Sequence, residues 1–129
     1  MTNNILFGLE YEEEKFDRAT ELACLKPDFK QLAKGVNTEI GEKGINLSGG
    51  QKARISFARA LYSNADLYLL DDPLSAVDPK IATYLMDECI CKELKLKTRV
   101  LVTHRLQYLS RVDKVFYLDN NTLQFTGTY

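Results

Sequence analysis

Leu67-Tyr68-Leu69-Leu70-Asp71-Asp72-Pro73 is the stretch that decides the fold, because an unbroken apolar run ends abruptly in two acidic residues and a proline. So short an apolar run is too brief for a helix and is typical of a strand buried on both faces of a parallel sheet. We therefore predict a strand over residues 67–70. Its carboxyl end carries two carboxylates, Asp71 and Asp72.

Further strand patterns follow along the chain. Residues 98–103 form a β-rich run that ends at His104, the only histidine, and residues 114–118 form another. Between the first two strands, Asp78-Pro79 predicts a helix start, with Asp as the N-cap and Pro at the first helical position. Asp119-Asn120-Asn121 predicts a turn into an exposed terminal strand. This order predicts an α/β fold with a mostly parallel sheet.

The first half of the chain has helical periodicity. Residues 11–24 predict one amphipathic helix, and a short second helix is expected after it. A glycine-rich loop then precedes a helix over residues 51–62. We predict a single partial domain over residues 1–129, with a helical subdomain over about 9–62 and an α/β core over about 63–129.

Composition narrows the class of protein. The 129 residues are 45% hydrophobic and 27% charged, with 17 Lys and Arg against 18 Asp and Glu, as in one folded domain. A net charge of −1 without a basic cluster argues against a nucleic-acid partner. No apolar run approaches the ~20 residues of a membrane span, and we predict neither a transmembrane helix nor a secretory signal. The cysteines, Cys24, Cys89 and Cys91, lack metal-ligand spacing and are predicted to be reduced thiols.

A second decisive stretch is Leu47-Ser48-Gly49-Gly50-Gln51, at the start of the predicted helix over residues 51–62. Two glycines let the backbone approach an anion closely, and a helix N-terminus offers unpaired N–H groups and a positive dipole. A phosphate contact is the functional interpretation. An ordinary turn before a helix is the structural alternative, because short glycine motifs recur by chance.

Side chains at the ends of two predicted strands suggest a complementary site. Asp71 and Asp72 follow the first strand, where a carboxylate can hold Mg²⁺ beside nucleotide phosphates. His104 ends the next strand, at the sheet edge where ligands bind in open α/β folds. Taken alone, each of these side chains fits a structural role at a strand-to-loop transition equally well.

Four motifs in order resemble those of the ATP-binding cassette (ABC) ATPases. Residues 47–51 are similar to the signature motif, residues 67–71 to the Walker B strand, Ser75-Ala76-Val77-Asp78 to the D-loop and His104 to the switch histidine. The fold implied is a P-loop NTPase domain. The resemblance covers nearly the whole chain.

The sequence resembles the C subfamily of ABC transporters, the multidrug-resistance-associated type, more closely still. Gly41-Glu42-Lys43-Gly44-Ile45-Asn46 and the run from Asp71 to Asp78 carry this resemblance. They look like the first nucleotide-binding domain, in which Asp often replaces the catalytic Glu. Asp72 stands at that position.

The resemblance implies roles for individual residues. Asp71 would hold Mg²⁺ through a water, Asp72 would orient the attacking water, and His104 would contact the γ-phosphate of ATP. Asp72 is one methylene shorter than Glu, and a displacement of about 1 Å can cost on the order of a hundredfold in rate. ATP held by a second nucleotide-binding domain, in a head-to-tail dimer, would be bound by Leu47, Ser48, Gly49, Gly50, Gln51 and Asp78.

The implied parent is an exporter with transmembrane domains, whose cassette lies on the cytoplasmic face of a membrane and uses ATP and Mg²⁺. No G-x-x-x-x-G-K-[ST] sequence, the Walker A loop, occurs in these residues. The chain thus looks like the second half of a nucleotide-binding domain without its Walker A strand. We expect weak binding of ATP and no hydrolysis by this chain alone, with the strands over 98–103 and 114–118 either left unpaired or paired directly.

Two further readings remain open. The chain could be a non-enzymatic module that donates its signature motif to another cassette, or an inactive fragment. A DNA-repair cassette shares the signature, but the absence of heptad repeats and basic clusters argues against it.

Overall fold

A computed structural model describes residues 1–41 and 44–129 of the chain. Glu42 and Lys43, which belong to the motif that resembles the C subfamily, lie outside the described residues. The helices and strands, in chain order, are α1 Thr2–Leu6, α2 Glu13–Leu22, α3 Lys26–Gln31, α4 Gly49–Ser63, β1 Leu67–Asp71, α5 Pro79–Tyr84, β2 Thr98–Val102, β3 Val115–Asp119 and β4 Thr122–Gly127. Short 3₁₀ turns lie at Gly35–Asn37 and Leu106–Arg111, and a π-helical segment at Leu85–Glu93 continues α5.

Helix α4 lies at the centre of the helical part and packs against α1 and α2. Its buried side chains include Ile55, Ala58 and Tyr62, which recur at helical spacing. The Tyr62 hydroxyl accepts a hydrogen bond from the backbone N–H of Glu12 and donates one to the carbonyl of Glu10. These two bonds fix the chain just before α2. The predicted helix over residues 51–62 is confirmed.

Strands β1 and β2 pair in parallel, with Leu67 opposite Thr98 and Asp71 opposite Val102. The prediction that β1 is buried on both faces is wrong for the described residues. Tyr68 and Leu70 are buried, whereas the side chain of Leu69 on the other face is 73% exposed. Side chains alternate between the faces of a strand, and the described elements cover only one face of β1.

The mostly parallel sheet is also corrected, because β3 pairs antiparallel with β4 rather than joining β1 and β2. The described strands thus form two separate two-stranded sheets. A two-residue turn at Asn120 and Asn121, both at positive φ, closes the β3–β4 hairpin directly. The predicted turn and exposed terminal strand are confirmed. Of the two alternatives for the strands over 98–103 and 114–118, direct pairing does not occur, because β2 pairs with β1 and β3 pairs with β4.

Helix α5 begins as predicted, with the Asp78 carboxylate accepting hydrogen bonds from the N–H groups of Lys80 and Ile81. The sequence did not predict the widening into a π-helix after Tyr84. The π segment buries Cys89, and this burial raises the pKa of its thiol to about 12. Cys89 is therefore a protonated core side chain at neutral pH. All three cysteines are free thiols, as predicted.

Candidate functional site

The start of α4 is closed by a reciprocal pair of hydrogen bonds. The backbone N–H of Gln51 donates to Oγ of Ser48 at 3.2 Å, and the backbone N–H of Ser48 donates to Oε1 of Gln51 at 2.9 Å. This capping box satisfies two backbone donors that a helix start otherwise leaves unpaired. We call residues 47–51 the signature loop.

Two backbone donors of the signature loop are left over. Within residues 1–41 and 44–129, the N–H groups of Gly49 and Gly50 make no hydrogen bond. Leu47 is half-buried against the core, and its N–H donates to the Gly44 carbonyl at 3.0 Å. The loop is therefore anchored on one side and offers two free donors at the positive end of a 15-residue helix.

A buried ion pair lies behind the loop, and sequence reasoning missed it. Nη2 of Arg54 donates to both carboxylate oxygens of Asp28 at 2.8 Å, and Nε2 of Gln51 donates to Oδ1 of Asp28 at 3.0 Å. The side chains of Arg54 and Asp28 are only 11% and 10% exposed. The helical spacing of Gln51 and Arg54 predicts that both lie on one face of α4. No local pattern around Asp28, on α3, indicates that it contacts these two residues.

Cys24 lies near this pair and is half-buried. Desolvation by burial raises the pKa of its thiol, and the positive charge of Arg54 offsets part of that rise. The thiol is therefore protonated at neutral pH and adds no charge beside Asp28.

The signature loop packs closely against the turn that follows β1. A Cβ built on Gly50 would lie 3.1 Å from the carbonyl oxygen of Ala76, whereas one on Gly49 would lie 3.8 Å from Cβ of Ala76. A side chain at position 50 would therefore require the Ala76 backbone to move away slightly, whereas glycine allows this close approach. The signature loop is thus a neighbour of the segment 75–78, which ends at Asp78, the other residue predicted to bind nucleotide.

Asp71 ends β1, Asp72 follows it, and His104 follows the paired strand β2, so all three lie towards the carboxyl ends of the two strands. The backbone N–H of Asp72 donates to the Val102 carbonyl at 2.9 Å, which extends the parallel ladder by one residue. Asp72 has φ +43°, a left-handed conformation that Asp tolerates better than most residues. Its carbonyl accepts from N–H and Oγ of Ser75, at 3.3 and 2.9 Å, which closes the turn after β1.

The side chains at this edge are far less constrained than the backbone. Asp71 and His104 are exposed, and Asp72 is half-buried. Across the part of the chain that the structure describes, none of these three side chains makes a hydrogen bond or ion pair. Asp78, by contrast, uses its carboxylate to cap α5.

A shallow pocket of about 260 Å³ lies between α4 and the end of β1. Asp71, the last residue of β1, and Asp72 both contribute to its wall. Its lining consists of Ala53, Ser56, Phe57, Ala60, Leu69, Leu70, Asp71, Asp72, Pro73, Ser75 and Ala76.

The carboxylates at this edge suit a metal ion that phosphates and waters also coordinate, and not one enclosed by protein side chains alone. Among the described residues, no group of three or more His, Cys, Asp or Glu side chains is placed to enclose a metal ion. Mg²⁺ is commonly held by one or two carboxylates while phosphates and waters complete its shell. Asp71 and Asp72 suit that arrangement, and the free N–H groups of the signature loop suit a phosphate.

A sequence profile described as ABC transporter matches residues 7–75, which include the signature loop and both acidic residues after β1. The match covers more than half of the chain. The chain belongs to the ABC transporter family. This family implies a P-loop NTPase fold, of which the described elements form an α/β part with small sheets.

Individual ABC transporters resemble the whole chain. It is 54% identical over 129 residues to ABC transporter C family member 13 of Dictyostelium discoideum, covering 100% of this chain and 10% of that protein. It is 48% identical to the ABC-type transporter cicA of Emericella nidulans and 46% identical to human ATP-binding cassette sub-family C member 4, covering 9% and 10% of those proteins. The predicted C-subfamily nucleotide-binding domain is confirmed.

The chain spans about a tenth of the length of these curated relatives. None of the helices in the described residues is long and apolar enough to cross a membrane.

Proposed function

We propose that this chain is part of a nucleotide-binding domain that binds and hydrolyses ATP to drive transport across a membrane. The observation that carries the proposal is the capped start of α4, with free N–H groups on Gly49 and Gly50, in a chain of the ABC transporter family. Ser48 adds a hydroxyl whose hydrogen is not committed, because its oxygen acts as acceptor for Gln51. These donors suit the terminal phosphate of a nucleotide.

In this proposal, the carboxyl edge of β1 and β2 supplies a second set of groups, which act on a different nucleotide from the one that the signature loop contacts. Asp71 would hold a divalent cation through its carboxylate, and Asp72, one residue further on, would orient a water. His104, at the end of the neighbouring strand, contacts the phosphate that leaves. Bound Mg²⁺ and ATP supply the transferable phosphoryl group and the neutralising charge.

The partners follow from the same proposal. The signature loop and Asp78 face a nucleotide that a second nucleotide-binding domain holds in a head-to-tail dimer, and transmembrane domains complete the transporter. The chain then corresponds to the second half of a first nucleotide-binding domain on the cytoplasmic face. Within it, residues 9–62 form the helical subdomain and residues 63–129 belong to the α/β core.

Two variants of Ser48 test this proposal at constant helix stability. Asp and Asn both cap helices about as well as Ser, so Ser48→Asp and Ser48→Asn should both keep α4 intact. Only Asp adds a negative charge where a phosphate is proposed to approach. In the transporter assembled with these residues, we expect ATP turnover of Ser48→Asp to be roughly tenfold or more below that of Ser48→Asn.

Circular dichroism with urea unfolding checks that the two variants are equally stable. Equal turnover in the two variants would exclude an anion at the signature loop and would overturn the proposal.

A further inference from the structure

The side-chain amide of Gln51 is held at both ends. Nε2 donates to the Asp28 carboxylate at 3.0 Å, and Oε1 accepts from the Ser48 N–H at 2.9 Å. A carboxylate only accepts and a backbone N–H only donates, so the amide has a single orientation that satisfies both. If the Asp28 contact is lost, the amide is held only by its bond to the Ser48 N–H and has lost its second anchor.

Asp28 is itself fixed by Arg54. The guanidinium contacts both carboxylate oxygens, and the two side chains are almost completely shielded from water. A bidentate pair of this kind has little rotational freedom. The contacts thus run without a break from Arg54 through Asp28 and Gln51 to the backbone of Ser48.

We propose that Asp28 is a positioning residue for the signature loop. It orients the Gln51 amide, the amide holds the backbone of Ser48, and the free N–H groups of Gly49 and Gly50 are thereby directed away from the helix. Asp28 lies on α3, in a different element from the loop, and does not touch the nucleotide. The consequence for ATP rests on the proposed function, whereas the ordering of the loop does not.

A purely structural role for Asp28 makes a different prediction. In that case the ion pair would only join α3 to α4, and well-packed apolar side chains could replace both partners, since such replacements of buried pairs are often neutral. Positioning requires a carboxylate acceptor beside Gln51, which no apolar side chain supplies.

Two variants separate these roles. Asp28→Asn leaves Arg54 buried without its counter-charge and should lower the melting temperature by roughly 10 °C. The double variant Asp28→Leu with Arg54→Met removes both charges and should recover most of that loss. The matched control is Asp17→Asn, which breaks the exposed ion pair between Lys26 on α3 and Asp17 on α2.

Amide hydrogen exchange on the full 129-residue chain measures the ordering. In the double variant, we expect the N–H groups of Ser48 and Gln51 to exchange roughly tenfold faster than in the unmodified chain. In Asp17→Asn they should exchange at the unmodified rate. Unchanged exchange at both positions in a folded double variant would overturn the proposal.

Turnover in the assembled transporter measures the consequence. The double variant should lower kcat for ATP roughly tenfold while the KM for ATP changes less than about threefold, because the loop stays present but misaligned. A loosened loop with unchanged kcat would overturn the positioning role in the reaction. The proposed function would fail separately, through equal turnover in Ser48→Asp and Ser48→Asn.

Discussion

The start of α4 and the carboxyl edge of β1 and β2 carry the two groups of predicted site residues, and they differ in how these residues are held. At α4, side chains hold the backbone through the capping box and the buried pair of Asp28 and Arg54. At the strand edge, backbone bonds hold the turn, and the side chains of Asp71 and His104 are exposed.

The signature loop is therefore held in place before any ligand arrives. A pre-ordered donor loses little conformational entropy on binding, whereas an exposed carboxylate or imidazole is ordered only when it meets its partner. We therefore expect substitutions near the signature loop to change the free energy of unfolding by altering how closely the loop packs against the turn after β1. Substitutions at the strand edge should act mainly through backbone conformation.

Among the substitutions that compare the signature loop with the strand edge, the largest effect is expected at Gly50. Gly50→Ala should lower the free energy of unfolding by about 1–2 kcal/mol, because the new methyl group would press on the Ala76 carbonyl oxygen 3.1 Å away. Gly49→Ala is the matched control, since its methyl group would have ordinary contact at 3.8 Å. Urea unfolding of the two variants measures the difference. Equal stability would mean that the loop and the turn at 75–78 are not tightly packed.

A smaller effect is expected at the strand edge. Asp72→Ala should lower the free energy of unfolding by about 1 kcal/mol, because alanine is disfavoured at the positive φ of this residue. Glycine adopts positive φ readily, so Asp72→Gly should not lower it. Asp71→Ala, in regular strand conformation, should stay within about 0.5 kcal/mol of the unmodified chain. Thermal unfolding measures all three variants. If Asp72→Gly lowers the free energy of unfolding as much as Asp72→Ala does, then the Asp72 side chain makes stabilising contacts. That result would contradict the view that backbone bonds alone hold the strand edge.

Local patterns predicted the elements that carry the site. Ser48 with two following glycines predicted the start of α4, and Asp78-Pro79 predicted the start of α5. The acidic end of β1 also lies where the sequence predicts it. Each of these signals involves residues within one turn of helix or at one end of a strand. Such signals act through short-range hydrogen bonds that the sequence order fixes.

Long-range partners could not be predicted in the same way. The one-sided burial of β1 depends on which elements cover Leu69, and the separation of β3 from the sheet of β1 and β2 depends on strands that are distant in the sequence. Asp28 and Arg54 are 26 residues apart, and no periodicity links them. The positioning of the signature loop is therefore a property of the fold rather than of the motif alone.

The most direct test of the account is amide hydrogen exchange at Gly49 and Gly50 in the transporter assembled with these residues, with and without MgATP. If these free N–H groups bind a phosphate, their exchange should slow roughly tenfold or more when ATP is bound. The end of α2 is the internal control, because the N–H of Ala23 is already bonded to the Ala19 carbonyl and no residue of that helix is proposed to contact ATP. Nucleotide retention, measured on the same sample, confirms that ATP is bound. Unchanged exchange at Gly49 and Gly50 in the ATP-bound transporter would contradict the proposal that the signature loop binds a phosphate of ATP.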